Sequence, residues 1–144
     1  MAYCTQSDIE ELLPSEQLVQ LTDDDEDGVA DASVVAQAIA HADGVIDSYC
    51  QERYDVPFST VPEIIKGISV DIAIWYCYTR RDIAMETREK RHDNAMKMLA
   101  AIRDGKISLG ADPIVSETGQ TIQSTTEDRD RVFTDTDEGT MADF

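Results

Sequence analysis

The sequence predicts a mainly α protein: a small helical bundle of four to five helices with a long, mostly extended C-terminal arm. Three observations carry that expectation. Residues 72–78, Ile-Ala-Ile-Trp-Tyr-Cys-Tyr, are an uncharged and mostly bulky run, and a run apolar on nearly every side belongs to a buried element rather than to a helix with a single apolar stripe. Residues 31–53 repeat apolar positions at three- and four-residue spacing, the period of a helix. Beyond Gly110 large apolar residues become scarce, and Thr, Ser, Asp, Glu and Gly take over. Such a composition buries too little surface to offset the entropy of ordering. A chain of 144 residues fits one domain large enough to bury a core. The expected division is a helical body at 1–110 and an acidic, extended arm at 111–144.

The central element is expected at 62–78. Pro62 suits a helix start and Glu63 suits the positive end of the helix dipole. Ile65, Ile68, Ile72 and Tyr76 then recur at helical spacing. Lys66 and Asp71 interrupt the run, which is shorter than the ~20 apolar residues a bilayer span needs. It reads as a core helix, with Ile72 and Trp75 inside.

Ahead of it, Ser7 and Glu10 have the spacing of a capping box, predicting a short helix from Ser7 that stops before Pro14. Ser15 can cap a second short helix through Leu21, with Leu18, Val19 and Leu21 inward. Asp23, Asp25, Asp27 and Gly28 match the first half of an EF-hand loop, with Asp31 at its ninth position. Its twelfth position is Val34 where a bidentate Glu should stand, so a solvated acidic turn before a helix is the better reading and no metal site is expected. The helix over 31–53 presents Val34, Val35, Ala38, Ile39, Ala42, Val45, Ile46, Tyr49 and Cys50 on one face. Gln37, Asp43, Asp47 and Gln51 form its outer face. Ala38, Ala42 and Gly44 would admit a close neighbour. His41 lies one residue off the stripe, an ordinary boundary histidine.

Pro57 and Pro62 push the residues before them out of helical space, so 55–61 is an extended link, pinned by Val56, Phe58 and Val61. A last helix is predicted over 85–103, with Ala95, Met96, Leu99 and Ile102 inward and Asp104 and Gly105 as its stop. Its first half is charged all round. Arg80, Arg81, Arg88, Lys90 and Arg91 could look like a nucleic-acid patch, but Asp82, Glu86, Glu89 and Asp93 offer partners three and four residues away. Within 111–144 a strand or hairpin is expected near 114–124. Arg131, Val132, Phe133, Met141 and Phe144 stand out on the polar arm as anchors for pockets on another chain.

The net charge is −18 and is placed unevenly. Residues 1–31 hold ten acids and no base, 32–110 are nearly neutral, and 111–144 hold nine acids and two bases. Tight nucleic-acid binding needs Lys and Arg to displace counterions, so this surface should repel DNA. Three cysteines without paired spacing indicate neither a disulfide framework nor a zinc site. Cys50 and Cys77 read as small buried thiols. The N-terminal stretch has no signal-peptide pattern, so a reducing cytoplasm is expected. There is no Gly-rich phosphate loop, no G-x-S-x-G elbow and no H-E-x-x-H motif. Neither an enzymatic activity nor a cofactor is expected.

Taken together, the acidic turn, the helix at 38–49, Arg53 to Pro57, Val61 and Pro62, the run at 71–78 and the closing residues Arg131 to Phe133 and Met141 to Phe144 resemble the small structural proteins of Mu-like phages and prophages. That family looks related to the head–tail connector (adaptor) proteins of long-tailed phages. The resemblance implies a helical-bundle protein of the virion neck, assembled in the host bacterial cytoplasm as a homo-oligomeric ring of twelve. Its implied partners are the portal protein and a tail-side neck, terminator or stopper protein, with DNA passing through unbound and no membrane involved. The alternative expectation, from another class, is an acidic calcium-binding or partner-binding module built on residues 23–31.

Overall fold

Proline ends an extended stretch at residue 62, and from there the backbone turns into the helix on which every other helix rests. The computed structural model describes residues 2–110, and these hold five helices: α1 (Gln6–Leu12), α2 (Ser15–Thr22), α3 (Ala32–Cys50), α4 (Glu63–Arg80) and α5 (Glu86–Arg103). The α4 helix packs against all four others, and α3 and α5 also meet each other. Nine of its residues are buried, Ile65, Ile68, Ser69, Val70, Ile72, Ala73, Ile74, Cys77 and Tyr78, on almost every side of the helix. The apolar run is thus a core helix, as its composition requires, and the described fold is an all-helical bundle.

The long α3 starts where Asp31 accepts a hydrogen bond from the Ser33 N–H at 3.0 Å, satisfying one of the first-turn donors that lack a helical partner. Its buried face is Val34, Val35, Ala38, Ile39, Ala42, Ile46 and Cys50, with Val45 and Tyr49 half-buried at the edge. Gly44 lies on the exposed side, where an added Cβ would touch nothing, so Ala38 and Ala42 alone provide the close approach. The link to α4 carries Phe58 into the core, flanked by half-buried Val56 and Val61, and the Val56–Pro57 peptide bond is cis. At the far end α5 stops at Asp104 and Gly105, the latter with φ +81°. A Cβ on Gly105 would lie 2.9 Å from the Arg53 guanidinium. The left-handed backbone favours glycine there, while the arginine end could shift aside for a Cβ.

Three local expectations are corrected. The first helix begins earlier than Ser7: Thr5 is the cap, its hydroxyl accepting from the Asp8 N–H at 3.3 Å while the Asp8 carboxylate accepts from the Thr5 N–H at 2.8 Å. Thr5 and Asp8 win because this start places Ile9 and Leu13 in the core with no exposure. Ser15 is the first residue of α2 and makes no cap; Pro14 occupies that position with no side-chain hydrogen bond. Trp75 is only half-buried, its indole stacked on the His92 ring of α5 with centroids 5.5 Å apart. A large amphipathic ring fits the seam between two helices better than the crowded centre that Ile72 and Ile74 fill.

Candidate functional site

Of the acidic residues that invite a metal reading, Asp23, Asp27 and Asp31 bond to their own backbone instead. Asp23 accepts backbone N–H groups from Asp27 at 3.2 Å and Gly28 at 2.9 Å. Although desolvation pushes its carboxyl up, these donors outweigh it and hold the group below the usual carboxylate range. Asp27 accepts from the Val29 N–H at 3.0 Å, and Asp31 caps α3. Glu26 and Gly28 take positive φ to close the turn. Among the described residues no group of three or more His, Cys, Asp or Glu side chains is placed to hold a metal ion.

The loop is fastened from outside by the end of α4. Arg80 pairs with Asp24 and donates to the Leu21 carbonyl at 3.2 Å. Arg81 pairs with the same carboxylate at 3.0 Å and donates to the carbonyls of Leu21 and Asp23, each at 3.1 Å. The expectation of partners three or four residues away is therefore corrected for most of the basic run. Arg91 reaches Asp71 on α4 at 2.9 Å, Arg88 donates to the Leu12 carbonyl at the end of α1 at 2.9 Å, and only Lys90 pairs within its own helix, with Glu86. Arg80, Arg81 and Arg91 are thus ion-paired across the bundle and Lys90 along its own helix, while Arg88 hydrogen-bonds a backbone carbonyl. The guanidinium groups of the run are occupied, while Glu10, Glu11, Glu16, Asp25, Glu26 and Asp27 remain exposed.

A second tie, with no sequence signal beyond an aromatic residue near the start, closes the other flank. Tyr3 and Cys4 are buried. The Tyr3 N–H donates to Asp43 at 3.1 Å, its hydroxyl donates to Asp47, and the same hydroxyl accepts from the Phe58 N–H at 3.3 Å. Asp43 and Asp47, expected on an outer face, are thus partly covered by residues 3 and 4. Burial raises the Asp43 carboxyl above its ordinary range, more than the Tyr3 N–H lowers it. Burial and the bond to Asp47 likewise raise the Tyr3 hydroxyl. Cys4, Cys50 and Cys77 are free, buried thiols, each pushed up to about 11 chiefly by burial. The Ser69 hydroxyl donates to the Cys4 sulfur at 3.2 Å. Neutral, covered thiols are poor nucleophiles.

Two depressions are lined by described residues. A groove of about 230 Å³ runs between α1 and α4 over Gly67 and Val70, rimmed by Glu11, Leu12 and Glu63. Lys66 in its wall is paired with Asp8 at 3.1 Å. A larger cleft, about 480 Å³, opens at the link between α3 and α4, lined by Tyr54, Asp55, Pro57, Phe58, Ser59 and Thr60, with Gly110 on its edge. The Leu109 N–H donates to the Tyr54 hydroxyl at 3.4 Å, which holds the end of the described chain beside this cleft.

The model of the family described as Bacteriophage Mu, Gp36 matches residues 3–129, which takes in all five helices and both depressions. The chain belongs to this family. It is similar to gene product J of Escherichia phage Mu, 30% identical over 86 residues, or 60% of this chain and 60% of that protein. It is also similar to the Mu-like prophage FluMu protein gp36 of Haemophilus influenzae, 29% identical over 94 residues, 65% of this chain and 62% of that protein. The matches thus span about three fifths of the length of these curated relatives. The expected kinship with Mu-like phage proteins holds. No helix among the described residues is long and apolar enough to cross a membrane. The expected anchors Arg131, Val132, Phe133, Met141 and Phe144, the arm at 111–144 and the strand near 114–124 lie outside the described residues.

Proposed function

We propose that this Gp36-family chain is a structural protein of the phage neck, an adaptor that assembles as a ring between the portal and the next neck or tail protein and continues the DNA channel. The observation that carries the reading, beside the family, is the distribution of charge over the bundle. The arginines at 80, 81, 88 and 91 are bound to the chain itself. Apart from Asp24, which Arg80 and Arg81 hold, the exposed carboxylates Glu10, Glu11, Glu16, Asp25, Glu26 and Asp27 make no ion pair with any other described residue. Such a surface repels a polyanion, which suits a passage that DNA must cross without sticking. The neutral buried thiols and the cross-bundle ties describe a rigid spacer, and its work on this reading is mechanical rather than catalytic.

Electron microscopy of the purified chain mixed with the portal of its own phage tests the proposal. Ring-shaped density on the portal, with no binding to duplex DNA at physiological salt, is the expected result. A chain that leaves the portal bare, or that binds DNA tightly, overturns it. A thermal-shift series with calcium tests the module built on residues 23–31: no stabilisation is expected, since Asp23 and Asp31 already serve the loop and the helix cap.

A further inference from the structure

The cleft at the α3–α4 link is unused by the adaptor reading. It is lined by Tyr54, Pro57, Phe58, Ser59 and Thr60, the first and third of these almost fully buried, and by the exposed Asp55, whose carboxylate makes no ion pair with any other described residue. At about 480 Å³ it lies within the roughly 300–1,000 Å³ of sites that accept apolar groups. We propose that this cleft is the socket for residues 131–133 of a second copy of the chain, with Phe133 entering against Pro57 and Phe58 and Arg131 pairing with Asp55. The proposal rests on the ring reading and adds what joins one copy to the next.

Charge and spacing select this occupant. Residues 111–144 contain nine acids and only two bases, Arg129 and Arg131. A cleft lined by Asp55, whose carboxylate pairs with no other described residue, repels nearly all of that segment. The one place where a cation stands two residues from an aromatic ring is Arg131 and Phe133. In an extended backbone, residues two apart face the same side, roughly 7 Å apart, so one strand can present both to one opening. Thirty-four residues follow Gly110, enough chain to reach a neighbour. A plug and a socket on different parts of one chain can make a head-to-tail contact, and such a contact repeated through a rotation that closes builds a ring. A net charge of −18 per copy opposes association, so copies need a specific anchor.

The test uses full-length chains, first alone and then with portal. One preparation carries Ser59→Cys and another Thr134→Cys; the native thiols are buried and do not compete. Oxidation of the mixed, assembled chains should give a covalent dimer that neither preparation gives alone. Asp55→Arg and Phe133→Ala should each weaken assembly, read by sedimentation, by about tenfold or more. Asp55→Arg combined with Arg131→Asp should restore it. If rings form while the mixed disulfide is absent and these variants assemble like the parent, the socket is wrong and the adaptor reading stands. A disulfide from residue 134 to the portal instead also overturns the socket. If no ring forms in any condition, the adaptor reading itself falls and takes the socket with it.

Discussion

α4 and α5 are both eighteen residues long and lie against one another, yet they are held by different physics. α4 has buried residues along nearly its whole length and on nearly every side. α5 has only Ala95, Leu99 and Ile102 buried, all in its second half; its first half is charged and reaches outward. Removing apolar area from water stabilises at about 25 cal/mol per Å², so α4 and the end of α5 are fixed by burial. The start of α5 is fixed by the reach of Arg88 to Leu12 and of Arg91 to Asp71. Half-exposed ion pairs of this kind contribute about 0–1 kcal/mol each. One helix can therefore be core at one end and tether at the other.

Mutations should separate the two regimes. Ile72→Ala in α4 and Leu99→Ala in α5, at side chains 1% and 0% exposed, should each cost about 2–5 kcal/mol by leaving a cavity; denaturant unfolding measures it. Equal losses would place the end of α5 in the same cooperative core as α4. Trp75→Ala should cost less than either, because its ring is half-buried in the seam. Tyr3→Phe comes next at about 1–3 kcal/mol, since it leaves Asp47 and the Phe58 N–H short of their partner in a partly buried place. Arg91→Ala should be smallest, below about 1 kcal/mol and smaller still at high salt. A loss there as large as at Leu99 would show that the first half of α5 is more than a tether.

Acid sharpens the comparison. The Asp8 carboxyl feels a desolvation that raises it, but the hydrogen bonds from Thr5 and Lys66 outweigh that and lower it overall. A lowered folded-state value gives stability that is present above the unfolded carboxylate range, about 3.9, and is lost as pH falls through the folded value. Asp8→Asn should therefore flatten the acid limb of the stability curve and reduce stability at neutral pH. Asp43, raised chiefly by burial, acts with the opposite sign: its charged form opposes folding above the raised value, and protonation relieves this as pH falls. Asp43→Asn keeps an acceptor for the Tyr3 N–H and should leave neutral-pH stability equal or higher. Thermal melts from about pH 3 to about pH 8, from below the ordinary carboxylate value to well above it, decide both.

The sequence by itself determined the helices, because periodicity and breakers are local. The α3 stripe, the apolar run of α4, Pro14 and Pro62 between elements and Gly105 after α5 all express properties a few residues long. The cap of α1 was misplaced: the expected box from Ser7 gives way to Thr5 and Asp8, a start that buries Ile9 and Leu13. The tertiary structure alone decided the pairings. Asp24 with Arg80 and Arg81, Tyr3 with Asp43, Asp47 and Phe58, and Arg91 with Asp71 join residues from about twenty to nearly sixty positions apart. Long side chains of one charge meet many carboxylates of nearly equal merit along the chain. The choice among them falls to the packing of the apolar faces, which sets the distances first.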